Sequence, residues 1–194
     1  MGGPRPVHGH ARRVSERRGD ATITFDDGND SDVEIALPAL RDRDLPAAFF
    51  VLAGRVGDPD SLSWPALTAL REEGMTIGSH GMAHRDWRTV TDAELDDEVV
   101  AAREVLEEGL GHPVRQAACP FGGYDRRVLR CLRRAGYERV FTSDGGFVRR
   151  DRWLTPRTTV HAEDDVDWLQ AVLARPSLLT TAESAARRFV KRMR

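Results

Sequence analysis

The stretch "TITFDDGND", Thr22 to Asp30, ends an apolar run on two adjacent carboxylates and a glycine. Asp and Gly favour tight turns and Asp caps helices, so turn chemistry is one reading of Asp26, Asp27 and Gly28. The other is that one carboxylate binds a metal while its neighbour handles a proton. What lies downstream decides between them.

The rest of the chain repeats a pattern of short apolar runs and amphipathic segments. Ala21 to Phe25 reads as a first strand, and "LPAAFFVLAG" (Leu45 to Gly54) as a second, apolar throughout and suited to burial on both faces. "MTIGSH" and "VRQAAC" continue the series, followed by "RVFTSD" and "WLTPRTTV" as shorter strands. Helices are expected between them. Asp30 to Arg43 carries Val33, Leu37 and Leu40 on one face, with Pro38 as a kink. Ser63 caps a helix with Pro65 in its first turn and Gly74 beyond its end. Thr91 and Glu94 form a capping box, opening a helix whose buried stripe is Leu95, Val99, Ala102 and Leu106. Asp96, Asp97, Glu104 and Glu107 make its solvated face. Asp125 to Ala135 is a helix stopped by Gly136, and "DVDWLQAVLA" a late one. Such alternation argues an α/β fold with a parallel sheet or barrel.

At 194 residues the chain is expected to form one domain. Residues 1–20 are Gly-, Pro- and Arg-rich and read as a flexible N-terminal arm, 21–176 as the folded domain, and 177–194 as a basic C-terminal tail. The tail carries Phe189, Val190 and Met193 among its cations, so it reads as a docked helix, or as a surface for an anionic membrane or another chain. A formal net charge of -2 gives no case for a nucleic-acid partner. Two cysteines make no disulfide framework. No stretch has the apolar length of a transmembrane segment or a secretory signal, so the chain as written reads as cytoplasmic; an upstream segment would make it exported. Oligomeric state is not legible.

Chemistry gathers at three expected strand ends. The first carries Asp26, Asp27 and Gly28, the third "SHGMAH" with His80 and His84, the fourth "CPFGGYD". Ends of this kind collect functional side chains in alternating α/β folds. A His pair at i and i+4 converges on one ion if the segment is helical. Joined to a carboxylate, with water in the fourth position, two imidazoles make a catalytic zinc site; cobalt, nickel and manganese stay open.

"TFDDG", then "SHGMAH", then "CPFGGYD" resembles the ordered motif set of the polysaccharide deacetylases, carbohydrate esterase family 4 with the NodB-homology fold. The resemblance covers roughly Asp20 to Trp168. It implies a distorted (β/α) barrel with fewer than eight regular strands. It implies Asp26 as general base, Asp27, His80 and His84 as metal ligands, and a backbone N–H at Phe121, after Pro120, for the developing oxyanion. The implied activity is metal-dependent removal of acetyl groups from N-acetylated sugars, such as N-acetylglucosamine units of a glycan or its precursor, through a metal-activated water. An esterase acting on O-acetyl groups, as in xylan, is the alternative. A carbohydrate-binding or scaffold protein with a weakened site is a third.

Two positions depart from the family pattern. Ala118 stands where many members place an Arg, and Arg157 is the candidate to orient Asp26 instead; its other reading is a structural ion pair. The late Leu-x-His motif that supplies a general acid is missing, which leaves His161 as the one histidine downstream of the third motif. His161 either faces the metal or sits in the loop "HAEDD" among its acidic neighbours. Trp87, Pro120 and Tyr124 are candidates for the sugar-binding wall, though Trp87 and Tyr124 suit the core equally. Cys119 reads as a small buried hydrophobe.

Overall fold

A computed structural model describes residues 21–146, 152–173 and Lys191. Its centre is a six-stranded sheet in the order β1-β2-β3-β4-β5-β6. The strands are β1 (Ile23–Asp27), β2 (Ala47–Val51), β3 (Thr76–Ser79), β4 (Gln116–Ala118), β5 (Arg139–Thr142) and β6 (Leu154–Pro156). All five pairings are parallel. Each strand pairs with the next in sequence, so the order never reverses as it does in an open doubly wound sheet. The sheet curls until the carboxyl ends of its two outer strands meet, where Arg157, just past β6, bonds Thr24 and Asp26 of β1. The architecture is the expected distorted (β/α) barrel with fewer than eight strands.

Register explains how "TITFDD" builds one wall of this barrel. Side chains alternate across a strand, so Thr24 and Asp26 share a face with Ala48 and Phe50, their partners on β2. That face is the concave interior, a small cluster of Ala48, Phe50, Ala118 and Phe141. The opposite face carries Phe25, stacked on Phe49 at 4.9 Å between ring centroids, and belongs to the larger core under the helices. Phe49 and Phe50 are both fully buried, each contributing roughly 1.5–3 kcal/mol of apolar burial. Gly78 makes room inside, since a Cβ there would stand 2.5 Å from the Phe50 ring.

The helices follow the expected order with shorter bounds. The first opens as a π-turn, Asp32–Ala36, and runs on as α1, Leu37–Arg41. Pro38, which lacks an N–H, sits where the wide turn resolves into the α-helix. The second is α2, Trp64–Glu72, capped by the Ser63 hydroxyl. The long third helix runs as α3 (Asp92–Asp96), a π-turn (Asp97–Ala101) and α4 (Ala102–Leu110). Its capping box at Thr91 and Glu94 is present, and its stripe of Leu95, Val99, Ala102 and Leu106 is buried. Glu107 departs from the expected solvated face: it is half-buried and accepts the Val114 N–H at 2.7 Å, tying α4 to the chain entering β4. Two more are α5, Arg126–Arg134, and α6, Val166–Leu173. Among the described residues no helix is long and apolar enough to cross a membrane. The expected arm lies outside the described residues, as does all of the expected tail except Lys191.

Candidate metal centre

Asp26 ends the regular part of β1 on the concave face, and the chain then leaves the sheet through two left-handed residues, Asp27 (φ 77) and Gly28 (φ 73). Gly28 is fixed by crowding as well as by φ, because a Cβ would lie 2.9 Å from Val51 Cγ1. The turn swings the Asp27 carboxylate over the barrel mouth. His80 follows β3, its backbone N–H bonded to the Val51 carbonyl at 2.8 Å. His84 comes from the loop beyond. That loop is not helical, the condition under which HxxxH spacing alone would join the two rings: Gly81 (φ 95) and His84 (φ 56) are both left-handed, and the segment is irregular.

Three side chains nevertheless converge. One ligand atom each from Asp27, His80 and His84 lies within 4.8 Å of the others. Asp27 Oδ1 is 3.6 Å from His80 Nε2 and 3.5 Å from His84 Nε2, too far for good hydrogen bonds. A tetrahedral ion with bonds of ~2.0–2.2 Å separates its ligand atoms by roughly 3.3–3.6 Å. Asp27 Oδ1 is buried with no hydrogen-bond partner, which leaves it costly unless a cation faces it. His80 Nδ1 donates to the Ala118 carbonyl at 2.9 Å, which fixes the tautomer and leaves Nε2 as the ligand atom. Burial holds the His80 imidazole below its ordinary pKa, against the pull of the Asp26 carboxylate, and so favours the neutral, ligating form. The residues present fit a divalent cation.

Asp26 stands beside this cluster, its Oδ2 3.8 Å from His80 Nε2. Arg157 grips it with two parallel bonds, Nη1 to Oδ1 at 2.6 Å and Nη2 to Oδ2 at 2.7 Å, and adds a third to Thr24 Oγ1 at 3.0 Å. The guanidinium lies above the Phe50 ring, 5.3 Å from its centroid. Ala118, where the family pattern often has its Arg, is fully buried in the barrel interior. Asp32 sits nearby, buried, with Oδ2 unpartnered; desolvation, reinforced by Asp27 and Asp26, pushes its pKa up to about 7 despite a backbone hydrogen bond at Asn29.

The third motif forms the opposite rim. Phe121 is left-handed (φ 56), 66% exposed, and packs its ring 4.5 Å from that of His84. Three expectations for this rim need correction. Trp87 and Tyr124 are each 1% exposed, and Pro120 is buried, so none presents a face to a sugar. The indole of Trp87 bonds Glu98 and the phenol of Tyr124 bonds Asp144, each polar end having found a buried carboxylate. Phe121 is the accessible aromatic. His161 is also not brought to the cluster: it is exposed, and its backbone N–H donates to the Asp164 carboxylate at 2.7 Å. Cys119 is buried and its thiol is pushed up to about 12, chiefly by desolvation, which makes it a poor nucleophile.

Sequence reasoning missed two groups here. Glu98 is buried under the His80–His84 loop, though its helix was legible. Lys191, far along the chain, reaches back to Asp144 at 2.6 Å and to the Gly122 carbonyl at 3.1 Å, bracing the third motif from behind. A lone basic residue in a basic tail gives no sequence signal of that contact.

The chain has relatives among known proteins. The polysaccharide deacetylase family model matches residues 13–140. A chitooligosaccharide deacetylase of Azorhizobium caulinodans is 27% identical over 153 residues, 78% of this chain and 69% of that protein. The peptidoglycan-N-acetylmuramic acid deacetylase PdaA of Bacillus subtilis is 28% identical over 123 residues, 62% of this chain and 45% of that protein. Among solved structures, the Streptococcus pyogenes deacetylase PplD, in complex with acetate, superposes with a TM-score of 0.73 at 20% identity, covering 78% of this chain and 69% of that one. The chain spans about half the length of several curated relatives that it matches. With a family match running through the first two motifs and the third, and with the fold and their carboxylates and imidazoles gathered at one barrel mouth, the chain belongs to the polysaccharide deacetylase family.

Proposed function

We propose that the protein is a metal-dependent hydrolase that removes acetyl groups from N-acetylated sugars. The observation that carries this reading is the pairing of an Asp27, His80 and His84 cluster with a separate carboxylate, Asp26, held in place by Arg157. Zinc suits two imidazoles and one carboxylate with an open position. A divalent ion bound there supplies a water with its pKa lowered to about 7 and polarises the acetyl carbonyl.

The chain's own groups do the rest. Asp26 lies beside the cluster and accepts a proton from the attacking water. Arg157 keeps both Asp26 oxygens aimed through its two parallel bonds. Phe121, turned left-handed by the third motif, offers its backbone N–H to the oxyanion that develops on the acetyl oxygen. Its exposed ring offers an apolar face beside the site for the sugar. The proton on Asp26 then passes to the leaving nitrogen.

A second reading, removal of O-acetyl groups, draws support from His161. Among the described residues no contact joins a third imidazole to the cluster, and an ester's leaving oxygen needs less help from an acid than an amide's nitrogen. Acetate release from N-acetylglucosamine oligomers and from an O-acetylated xylan, with metal added and with it chelated, tests both. Metal-dependent release from the amide substrate is the expected result. Release from the ester alone would support the second reading, and none from either would remove the hydrolase.

A further inference from the structure

His80 and His84 stand four residues apart on a loop that no helix organises, so another agent must hold them together. The first residues of that loop are held by hydrogen bonds. The carbonyls of Gly81 and Met82 face one way and accept the N–H groups of Ala53 and Gly54 at 2.9 and 3.0 Å. The Gly81 N–H goes to Ser79 Oγ at 3.2 Å. The N–H groups of Met82 and Ala83 converge on one side chain, Glu98 of the π-turn after α3. Met82 donates to Oε2 at 3.0 Å, and Ala83 to Oε1 at 3.2 Å. The Trp87 indole closes the set, donating to Oε2 at 3.3 Å.

Glu98 is 2% exposed, and among the described residues no cation contacts it. A carboxylate so buried needs donors, and here they come from the segment between the two histidines and the tryptophan just beyond. Gly81 belongs to the same device, since a Cβ there would stand 2.5 Å from Glu98 Oε2. The π-turn is where a widened helix presents a side chain inward, a feature that often marks functional positions.

We propose that Glu98 is the positioning residue of the metal-binding loop, fixing the His80–His84 turn before any ion arrives. The inference rests on the reading of Asp27, His80 and His84 as metal ligands. Glu98 touches neither substrate nor ion. It acts through the Met82 and Ala83 amides, which set the left-handed exit at His84 and with it the approach of Nε2 to Asp27. An ion then meets a formed site and does not have to order the loop.

Amide hydrogen exchange on the metal-free protein, joined to metal titration against a chromophoric chelator, tests the proposal. In the wild type the Met82 and Ala83 amides should be protected as well as those of β3 without metal. In Glu98→Gln, the new amide cannot accept at both atoms. Those two amides should lose protection while β3 keeps its own, and zinc affinity should fall by roughly 10–100-fold, the loss usual for outer partners of metal ligands. Wild-type zinc affinity in a folded Glu98→Gln would overturn the inference. If that variant fails to fold, the wild type still decides. Loop amides that exchange freely until zinc is added would show that the ion, and not Glu98, orders the loop. A wild type that binds no divalent ion overturns the ligand reading instead, and differs from the other failures in that no variant is needed to see it.

Discussion

Arg157 meets Asp26 fork to fork, with two parallel bonds of 2.6 and 2.7 Å that join the residue after the last strand to the end of the first. The pair closes the barrel and aims the proposed base at once. Arg157→Lys keeps the charge and loses the fork, because an ammonium cannot make the bidentate contact. The expected result is a kcat lower by about 10–100-fold with metal content unchanged, the usual cost of losing an outer orienting partner. Steady-state rates alongside metal analysis check it. An unaltered kcat would leave Arg157 a purely structural tie.

Asp27 Oδ1 has no partner of its own, so removing a ligand should cost the metal and little else. His84 is the safer choice for a test, because its side chain is a third exposed whereas His80 is buried. His84→Ala should fold, and zinc should no longer raise its melting temperature. For the wild type, zinc at about 100 times its dissociation constant should add about 2.7 kcal/mol. Thermal melts with zinc and with chelator read both. A zinc-induced shift in His84→Ala equal to that of wild type would place the ion elsewhere.

Asp32 gives the metal-free protein a pH dependence of definite sign. Its pKa is pushed from 3.8 up to about 7 by burial first, with Asp27 and Asp26 adding to the effect. Below pH 3.8 both folded and unfolded states hold the proton, and burial of the neutral acid costs nothing extra. As pH rises from there to about 7, the unfolded chain releases its proton first, so stability falls; above about 7 the full loss is in place. At 1.36 kcal/mol per pKa unit the ceiling is roughly 4 kcal/mol, reduced by whatever solvent screens the carboxylate. Asp32→Asn removes the charge, so in chelator it should melt several degrees above wild type at pH 8 and close to it at pH 4. Equal differences at both values would mean that Asp32 is solvated or paired in solution.

Much of this architecture is legible in the sequence because it is local. The alternation in "TITFDD" sets Thr24 and Asp26 on one face and Ile23 and Phe25 on the other, and the register on β2 follows it. Thr91 and Glu94 announce their helix through a capping box that depends on four residues. The site is less legible where its geometry depends on distant partners. HxxxH joins two histidines by short-range spacing only where the segment is helical. The structure instead uses Glu98, from another element, to hold a loop. Trp87 and Tyr124 advertise a flat face and a polar edge in sequence, as a sugar platform does. Only the fold reveals that Glu98 and Asp144 are buried beside them and take the polar edges inward. Arg157 was legible for the opposite reason, since an empty place at Ala118 called for a cation near Asp26.

In the proposed reaction the leaving nitrogen must gain a proton as its bond to the acetyl carbon breaks, since expulsion of an amide anion is prohibitive. His161 is exposed in a loop closed by Asp164, whose backbone N–H in turn bonds the His161 carbonyl at 3.1 Å. On the proposed mechanism Asp26 is the better donor, for it lies beside the cluster and would already hold the water's proton. His161→Ala should therefore turn over an N-acetylated oligosaccharide and an activated acetate ester at rates within about twofold of wild type, well under the ~10²–10⁴-fold worth of a true acid or base. Asp26→Asn should lose the larger factor on both substrates, because the base is needed whichever group leaves. A good leaving group needs no acid, so the ester serves as the control. If His161→Ala slowed the amide severely and spared the ester, the loop at His161 would have to close over the site during turnover, and the proton shuttle would not belong to Asp26 alone.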